Sequence, residues 1–298
     1  MLRRQSSHLY LESMSNMIKL IVSDLDGTLL DMPNSISQTN LDAIEYAYSR
    51  GAGFCFATGR DLASVRSIKK LLTHAPLLIL GNGAVIYDEH EQIMEEDFFP
   101  NQYLKEVTDI LNAHGVPHMI VTTDGFYTTT DPEEVRRRFI ERISAVSSME
   151  DGRIFATDQD KPCNNLVQIT AMEPFVQTKK IIKVEGFHMD SAPIDAVKHE
   201  LEKYTGLSHL STGKNNVEIT NITAQKGLAL KKYIKKLGLT EDEVMVLGDS
   251  QNDLSMFEHF KYGFAPENSC REIKEKAYCV VRSCMEHGVS DAIYRLKK

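Results

Sequence analysis

Short runs of wholly apolar residues recur near the two ends of the chain, and more mixed patterns fill the middle. Residues 18–23, 54–57, 77–80 and 244–247 are such runs, with Leu20-Ile21-Val22 at the heart of the first. They are too short for buried helices and too apolar for strands with one face in water. Between them, helical spacing takes over. Leu41, Ile44 and Tyr48 follow a capping Ser37 and precede Gly51, while Leu62, Val65, Ile68 and Leu72 share one face. Further on, Leu230, Tyr233, Ile234 and Leu237 fall at i, i+3, i+4 and i+7 before Gly238. Apolar strands alternating with amphipathic helices predict an α/β fold with a doubly wound parallel sheet, Rossmann-like in build, covered on both faces.

After Gly83 the grammar changes. Residues 84–87 and 93–98 read as a hairpin, 102–113 as a helix, 119–123 and 126–130 as strands around Asp124-Gly125, and 132–144 as a charged helix. A strand at 166–170, a strand at 180–188, a helix at 194–204 and closing strands at 207–210 and 217–220 follow. Within 150–178 the local pattern, 166–170 included, is also compatible with a helix. Mixed helices and antiparallel strands predict an inserted α+β domain. The expected organisation is a leader at 1–16, a discontinuous core at 17–84 and 213–298, and an insertion at 85–212.

Composition narrows the function classes. The formal net charge is −8, from 42 acidic and 34 basic residues, so the chain carries no nucleic-acid footprint. Lys231, Lys232, Lys235 and Lys236 fall within a helical pattern and predict a solvated face. No apolar run approaches the ~20 residues that span a bilayer, and no membrane partner is expected. Residues 1–16 lack the apolar segment of a secretory signal, and Met17, just before the first strand, is a candidate second start. Five cysteines without a C-x-x-C predict a reduced, cytoplasmic protein. His114 and His118 are separated by Gly115 and Pro117, so no helix presents them together as ligands. Gly213-Lys214 fails as a phosphate loop, because Ser208 and Asn215 stand where that motif needs a glycine and a hydroxyl residue.

The chemistry gathers where the apolar strands end. Asp24-Leu25-Asp26-Gly27-Thr28 follows the first strand; alternation sends Leu25 one way and Asp24 and Asp26 the other. Two carboxylates so close repel, and a divalent cation with a taste for hard oxygen, such as Mg²⁺, removes the conflict. Thr58-Gly59 follows the second strand, and Asp249, Asn252 and Asp253 follow Val244–Leu247. Lys226 opens a helix and can bring a positive charge. In open parallel sheets ligands bind at this edge, where helix N-termini favour an anion such as phosphate.

These motifs resemble those of the haloacid dehalogenase superfamily, in its Cof-type group with a large C2B cap: Asp24-Leu-Asp-Gly-Thr28, Ala57-Thr-Gly-Arg60, Lys226 and Gly248-Asp-Ser-Gln-Asn-Asp253. The step Asn82-Gly83-Ala84 into the insertion is similar too, whereas 261–267 departs from the usual Gly-Asn-Ala turn. The resemblance implies a Mg²⁺-dependent phosphomonoesterase acting on a small phosphorylated metabolite, a sugar phosphate or a phosphorylated cofactor such as FMN or PLP. It implies Asp24 as nucleophile forming an aspartyl-phosphate, and Asp26 as the acid that protonates the leaving group and then activates water. Thr58, Gly59, Lys226 and Asn252 would hold the phosphate. Asp24, the backbone carbonyl of Asp26 and Asp249 would hold the metal, with Asp253 behind them. A phosphomutase and a non-catalytic phosphometabolite-binding module are the alternatives, and a monomer or weak homodimer is expected.

Overall fold

The protein is described by a computed structural model covering residues 18–30, 35–146, 149–158, 161–211 and 215–295. The expected leader at 1–16 and the rejected loop at Gly213-Lys214 lie outside the described residues. The chain forms two compact units: one takes the chain up to Arg60, Val65–Glu96 and Gln225 onward, the other Asp61–Ser64 and Asp97–Ala224. No described helix is long and apolar enough to cross a membrane.

The first unit opens with β1 (Leu20–Ser23), α1 (Gln38–Ser49), β2 (Gly53–Ala57), α2 (Leu62–Lys69) and β3 (Leu77–Leu80). As the sequence predicts, the Ser37 side chain caps α1 by accepting from the Asn40 N–H at 3.3 Å, and Gly51 takes a positive φ of 83° beyond its end. Residues 81–83 turn the chain, with Asn82 and Gly83 at φ of 60° and 104°. The hairpin β4 (Val85–Tyr87) and β5 (Ile93–Glu96) then adds antiparallel to β3 and extends the first sheet.

The second unit contains α3 (Leu104–Ala113), β6 (His118–Thr122), β7 (Phe126–Thr128), α4 (Pro132–Val146), α5 (Met149–Thr157), β8 (Leu166–Gln168), α6 (Met172–Thr178), β9 (Ile181–Phe187), α7 (Ser191–Leu201), β10 (Leu207–Leu210) and β11 (Asn216–Asn221). Helices α5 and α6 occupy the stretch whose sequence fits strand and helix alike, with β8 between them. The strands make a six-stranded sheet in the order β10-β11-β9-β6-β7-β8, antiparallel except for β7 and β8. One face packs Ile120, Val184, Val217 and Ile219 with Val107, Leu111, Ile194 and Val197 of α3 and α7. On the other face, Met119 and Phe187 pack with Val135 and Phe139 of α4. The strand β11 lies in this sheet although the sequence reading assigns 213 onward to the core, and the hairpin 85–96 lies in the other. Residues 216–221 are apolar on alternate positions, and 85–87 form a short apolar run; neither pattern says which sheet the strand joins.

The chain returns to the first unit with α8 (Lys226–Lys236), β12 (Val244–Leu247), α9 (Leu254–His259), β13 (Tyr262–Pro266), α10 (Arg271–Lys276), β14 (Cys279–Val281) and α11 (Gly288–Arg295). The eight strands run β14-β13-β12-β1-β2-β3-β4-β5, and β14 through β3 are parallel. Leu20, Val22, Cys55, Ala57, Val244 and Val246 meet Leu230, Tyr233, Ile234, Met256 and Phe257 in the core of this unit. Lys232, Lys235 and Lys236 of α8 are exposed, as their spacing predicts.

Two glycines set the position of α8. A Cβ on Gly83 would lie 2.6 Å from the Gln225 carbonyl oxygen, and one on Gly227 would lie 2.1 Å from that of Ser255. Both obstacles are backbone, so no side chain can swing aside. Gly227→Ala is therefore expected to force α8 and α9 apart and to cost about 3 kcal/mol, the upper part of the usual overpacking range. Chemical denaturation of the variant checks this; a midpoint equal to wild type would show that the two helices can separate freely.

Candidate active site

The strand β1 hands its register to Asp24, whose N–H donates to Leu247 O at 2.9 Å. The N–H groups of Thr28, Leu29 and Leu30 then converge on the carbonyl of the fully buried Leu25, at 3.3, 3.1 and 2.9 Å. This wraps residues 24–30 into a turn. Gly27 makes it possible: its φ is 81°, and a Cβ there would lie 2.6 Å from Asp249 Oδ2. The turn separates the two acids that alternation would have paired. Asp24 is buried, whereas the Asp26 side chain is 59% exposed. Its two oxygens accept from Arg60 Nε at 2.8 Å and Nη2 at 2.5 Å.

Lys226, fully buried at the start of α8, donates from Nζ to Asp24 Oδ1 at 2.7 Å and to Asp253 Oδ1 at 2.6 Å. The Gly227 N–H donates to Ser255 Oγ at 2.9 Å, pinning the helix start to α9. Asp253 Oδ2 accepts the N–H groups of Asp249 at 2.9 Å and Ser250 at 3.1 Å, so both oxygens of this carboxylate are engaged. Asp249 Oδ1 accepts from Thr28 Oγ1 at 3.2 Å. Two strand ends, those of β1 and β12, and the start of α8 thus meet in one cluster.

The electrostatics follow from burial and charge count. Burial alone would lower the Lys226 ammonium, but Asp24 and Asp253 hold it above its ordinary value. Burial raises the Asp24 carboxyl well above the carboxylate range; Lys226 opposes this, while Asp253 and Asp249 add to it. Burial raises Asp249 to about 6, reinforced by Asp253 and opposed by Lys226. One lysine does not balance three acids.

Asp24, Asp249 and Asp253 each offer a carboxylate oxygen, all within 4.8 Å of one another. Hard oxygen donors at this spacing and an excess of buried negative charge suit a divalent cation such as Mg²⁺. The Asp26 carboxylate, which strand alternation places beside that of Asp24, lies instead on Arg60, and Leu25 packs beneath the turn.

Of the expected phosphate-binding residues, Thr58 is buried at the exit of β2, with its N–H on Ile79 O at 2.9 Å and its Oγ1 accepting the Arg60 N–H at 3.2 Å. Half-buried Gly59 lies between them. Asn252 Nδ2 donates to Asn82 Oδ1 at 3.0 Å, and the Asn82 N–H donates to Thr58 O at 3.0 Å. Asn82, absent from the site read in the sequence, therefore links the exits of β2, β3 and β12. An asparagine between two glycines was the available signal, and in the structure Asn82 takes a left-handed φ of 60°. Asn268 is a second addition: Nδ2 donates to Gly27 O at 2.7 Å and Oδ1 accepts from the Cys284 N–H at 2.9 Å. It stands one residue beyond the unusual stretch 261–267. The histidines set aside as ligands stay apart, His114 pairing with Glu200 at 2.7 Å and His118 bonding Thr129 at 2.8 Å.

Comparison with known proteins identifies the family. The chain is 29% identical over 288 residues to the 5-amino-6-(5-phospho-D-ribitylamino)uracil phosphatase YwtE of Bacillus subtilis, covering 94% of this chain and 98% of that one. It is 23% identical over 291 residues to the pyridoxal phosphate phosphatase YbhA of Escherichia coli, covering 93% and 97%. A solved haloacid dehalogenase-like hydrolase from B. subtilis superposes with a TM-score of 0.80 at 26% identity, covering 94% of this chain and 99% of that one. The profile of the haloacid dehalogenase-like hydrolases matches residues 21–293. With its strand-end aspartates, buried lysine and family-wide match, the chain belongs to the haloacid dehalogenase-like hydrolases.

Proposed function

We propose that the protein is a Mg²⁺-dependent phosphomonoesterase that hydrolyses a small phosphorylated metabolite through an aspartyl-phosphate on Asp24. The observation that carries this reading is the buried contact of Lys226 with Asp24 at 2.7 Å and Asp253 at 2.6 Å beside Asp249. Named relatives act on a phosphoribitylamino-uracil and on pyridoxal phosphate. These support a compact organic monophosphate as the substrate class, with sugar phosphates first and phosphorylated cofactors next. The test of the reading is a panel of such esters assayed for phosphate release.

Lys226 fixes the Asp24 carboxylate through Oδ1 and presents a positive charge toward the oxygens of an incoming phosphate. An Asp24 oxygen attacks phosphorus, the ester P–O bond breaks, and Asp26 gives its proton to the departing alkoxide. Asp26, now a carboxylate, takes a proton from water as that water attacks the phosphorus. Inorganic phosphate leaves and the Asp24 carboxylate is restored. Arg60 holds Asp26 by two donors and so fixes its direction. Thr58, Gly59 and Asn252 supply donors at the phosphate, and Asn82 orients Asn252. Asp253 positions Lys226 and the backbone of Asp249. A Mg²⁺ held by Asp24, the Asp26 carbonyl and Asp249 would neutralise the charge that carboxylates and a phosphate dianion accumulate.

Asp24→Asn is expected to lower turnover by at least about 1,000-fold, in line with loss of a nucleophile. The fold should survive, because the change relieves a buried carboxyl and leaves Lys226 paired with Asp253. Retention of more than a few per cent of the wild-type rate by a normally melting variant would remove Asp24 from its role.

Arg60→Ala addresses a different link. The Asp26 carboxylate is 59% exposed, and the pair is worth at most about 1 kcal/mol of stability. The melt should barely move, while an alkyl phosphate loses far more rate than p-nitrophenyl phosphate, whose leaving group needs little protonation. Equal losses on both esters would show that the Arg60–Asp26 pair does not serve the leaving group.

Removing divalent ions with EDTA should abolish activity, and Mg²⁺ should restore it. Ca²⁺ should not substitute, because its larger and looser shell misplaces the nucleophile. Undiminished turnover in metal-free buffer would contradict the assigned cation.

A further inference from the structure

Three consecutive residues beyond β13 donate to carbonyls of the two turns that carry the acidic cluster. Asn268 Nδ2 donates to Gly27 O at 2.7 Å, Ser269 Oγ to Gly248 O at 3.4 Å, and the Cys270 N–H to Asp249 O at 2.8 Å. One acceptor lies in the turn after β1 and two lie in the turn after β12. Residues 268–270 therefore bracket the two turns and fix one against the other.

The bracket is itself anchored. Asn268 Oδ1 accepts the Cys284 N–H at 2.9 Å, and the Ser269 N–H donates to Pro266 O at 2.9 Å. The Gly27 carbonyl calls for a donor and the Cys284 N–H for an acceptor. A side-chain amide is both at once, which no carboxylate or alkyl group can be.

Gly27 is where such a hold has most effect. Glycine is required there, since its φ is 81° and a Cβ would lie 2.6 Å from Asp249 Oδ2. Glycine also gives the backbone its widest freedom, at the residue between Asp26 and Thr28. Of the three N–H groups on Leu25 O, that of Thr28 makes the longest bond, at 3.3 Å. Holding the Gly27 carbonyl fixes the Gly27–Thr28 peptide, and with it Thr28, whose Oγ1 donates to Asp249 Oδ1 at 3.2 Å. The Asp26 carbonyl stands on the other side of the same Cα. Gly27 and Asp249 approach too closely to admit even a methyl group, so a small rotation of this peptide moves one against the other.

Stability gives a poor account of the Asn268 bond. Asn268 is exposed, and one neutral hydrogen bond to half-buried Gly27 adds little to the fold. Its leverage is geometric.

We propose that Asn268 is a positioning residue which, through the Gly27 carbonyl, sets the Asp26 carbonyl against the Asp249 carboxylate and so tunes the affinity of the cation site. The proposal rests on the phosphatase reading above for a Mg²⁺ held by Asp24, the Asp26 carbonyl and Asp249. It goes beyond that reading in giving the cation site a determinant that holds none of the ion's charge.

Asn268→Ala in the full-length protein tests it, first without substrate. Calorimetric titration with Mg²⁺ alone should show an affinity about fivefold weaker than wild type, the effect of one neutral hydrogen bond. Thermal melts should agree, with Mg²⁺ at a fixed concentration raising the wild-type midpoint more than the variant's. Each protein is compared with itself in metal-free buffer, so a lower starting stability does not mask the result. With p-nitrophenyl phosphate, the variant should need about fivefold more Mg²⁺ for half-maximal rate. A merely structural asparagine would lower the melt equally in both buffers and leave the Mg²⁺ affinity unchanged; that result overturns the proposal. Wild-type protein that bound Mg²⁺ but released phosphate from no ester would count against the phosphatase reading, and the calorimetric comparison would still decide the role of Asn268. Wild-type protein that bound no Mg²⁺ would overturn the cation assignment and this proposal together.

Discussion

The first unit is organised around one charged contact, the ammonium of Lys226 held between Asp24 and Asp253 with no access to water. Each ion in isolation would carry a prohibitive desolvation cost, so each is present only because the others are. The contact joins residues far apart in sequence: the end of β1, the start of α8 and the turn before α9. It requires α8 to sit where Gly83 and Gly227 let it, against backbone carbonyls that tolerate no side chain. Packing of the apolar sheet and placement of the charges are therefore one problem, solved together.

Around that contact the three acids exceed the one buried lysine. Asp253 engages Lys226 with one oxygen and the backbone of Asp249 and Ser250 with the other, while burial, with the charge of Asp253 added, raises the carboxyl groups of Asp24 and Asp249. An excess of buried negative charge of this kind suits a divalent cation, which would bring the missing positive charge. Asp26 stands apart from the imbalance. It lies on the exposed side of the turn, oriented by Arg60, a placement that suits the acid–base role proposed for it.

The second unit solves a different problem. Its sheet covers one face with helices and part of the other with α4, in the usual manner of an α+β layer. The remaining stretch keeps Lys183, Glu218 and Thr220 buried, with the lysine and glutamate paired.

Much of the first unit was legible in the chain itself. Wholly apolar strands such as Leu77–Leu80 can only belong to a sheet covered on both sides, and the spacing of Leu230, Tyr233 and Ile234 can only be a helix on that sheet. The strand-end positions of Asp24, Thr58 and Asp249 follow from the same periodicity, and with them the family. Tertiary structure decided what local pattern cannot carry. Strands at 85–96 and 216–221 read alike in either sheet, because alternation fixes a strand's faces but not its neighbours. Helices α5 and α6 arose where local preference was undecided. Alternation also paired Asp26 with Asp24, but the chain leaves its strand at Ser23, and the Gly27 turn sends the second carboxylate to Arg60. Asn82 and Asn268 act through partners 170 and 241 residues distant in sequence, and no spacing rule reaches that far. Period and composition are local properties of a chain, whereas a hydrogen bond between two loops exists only once the sheet between them has formed.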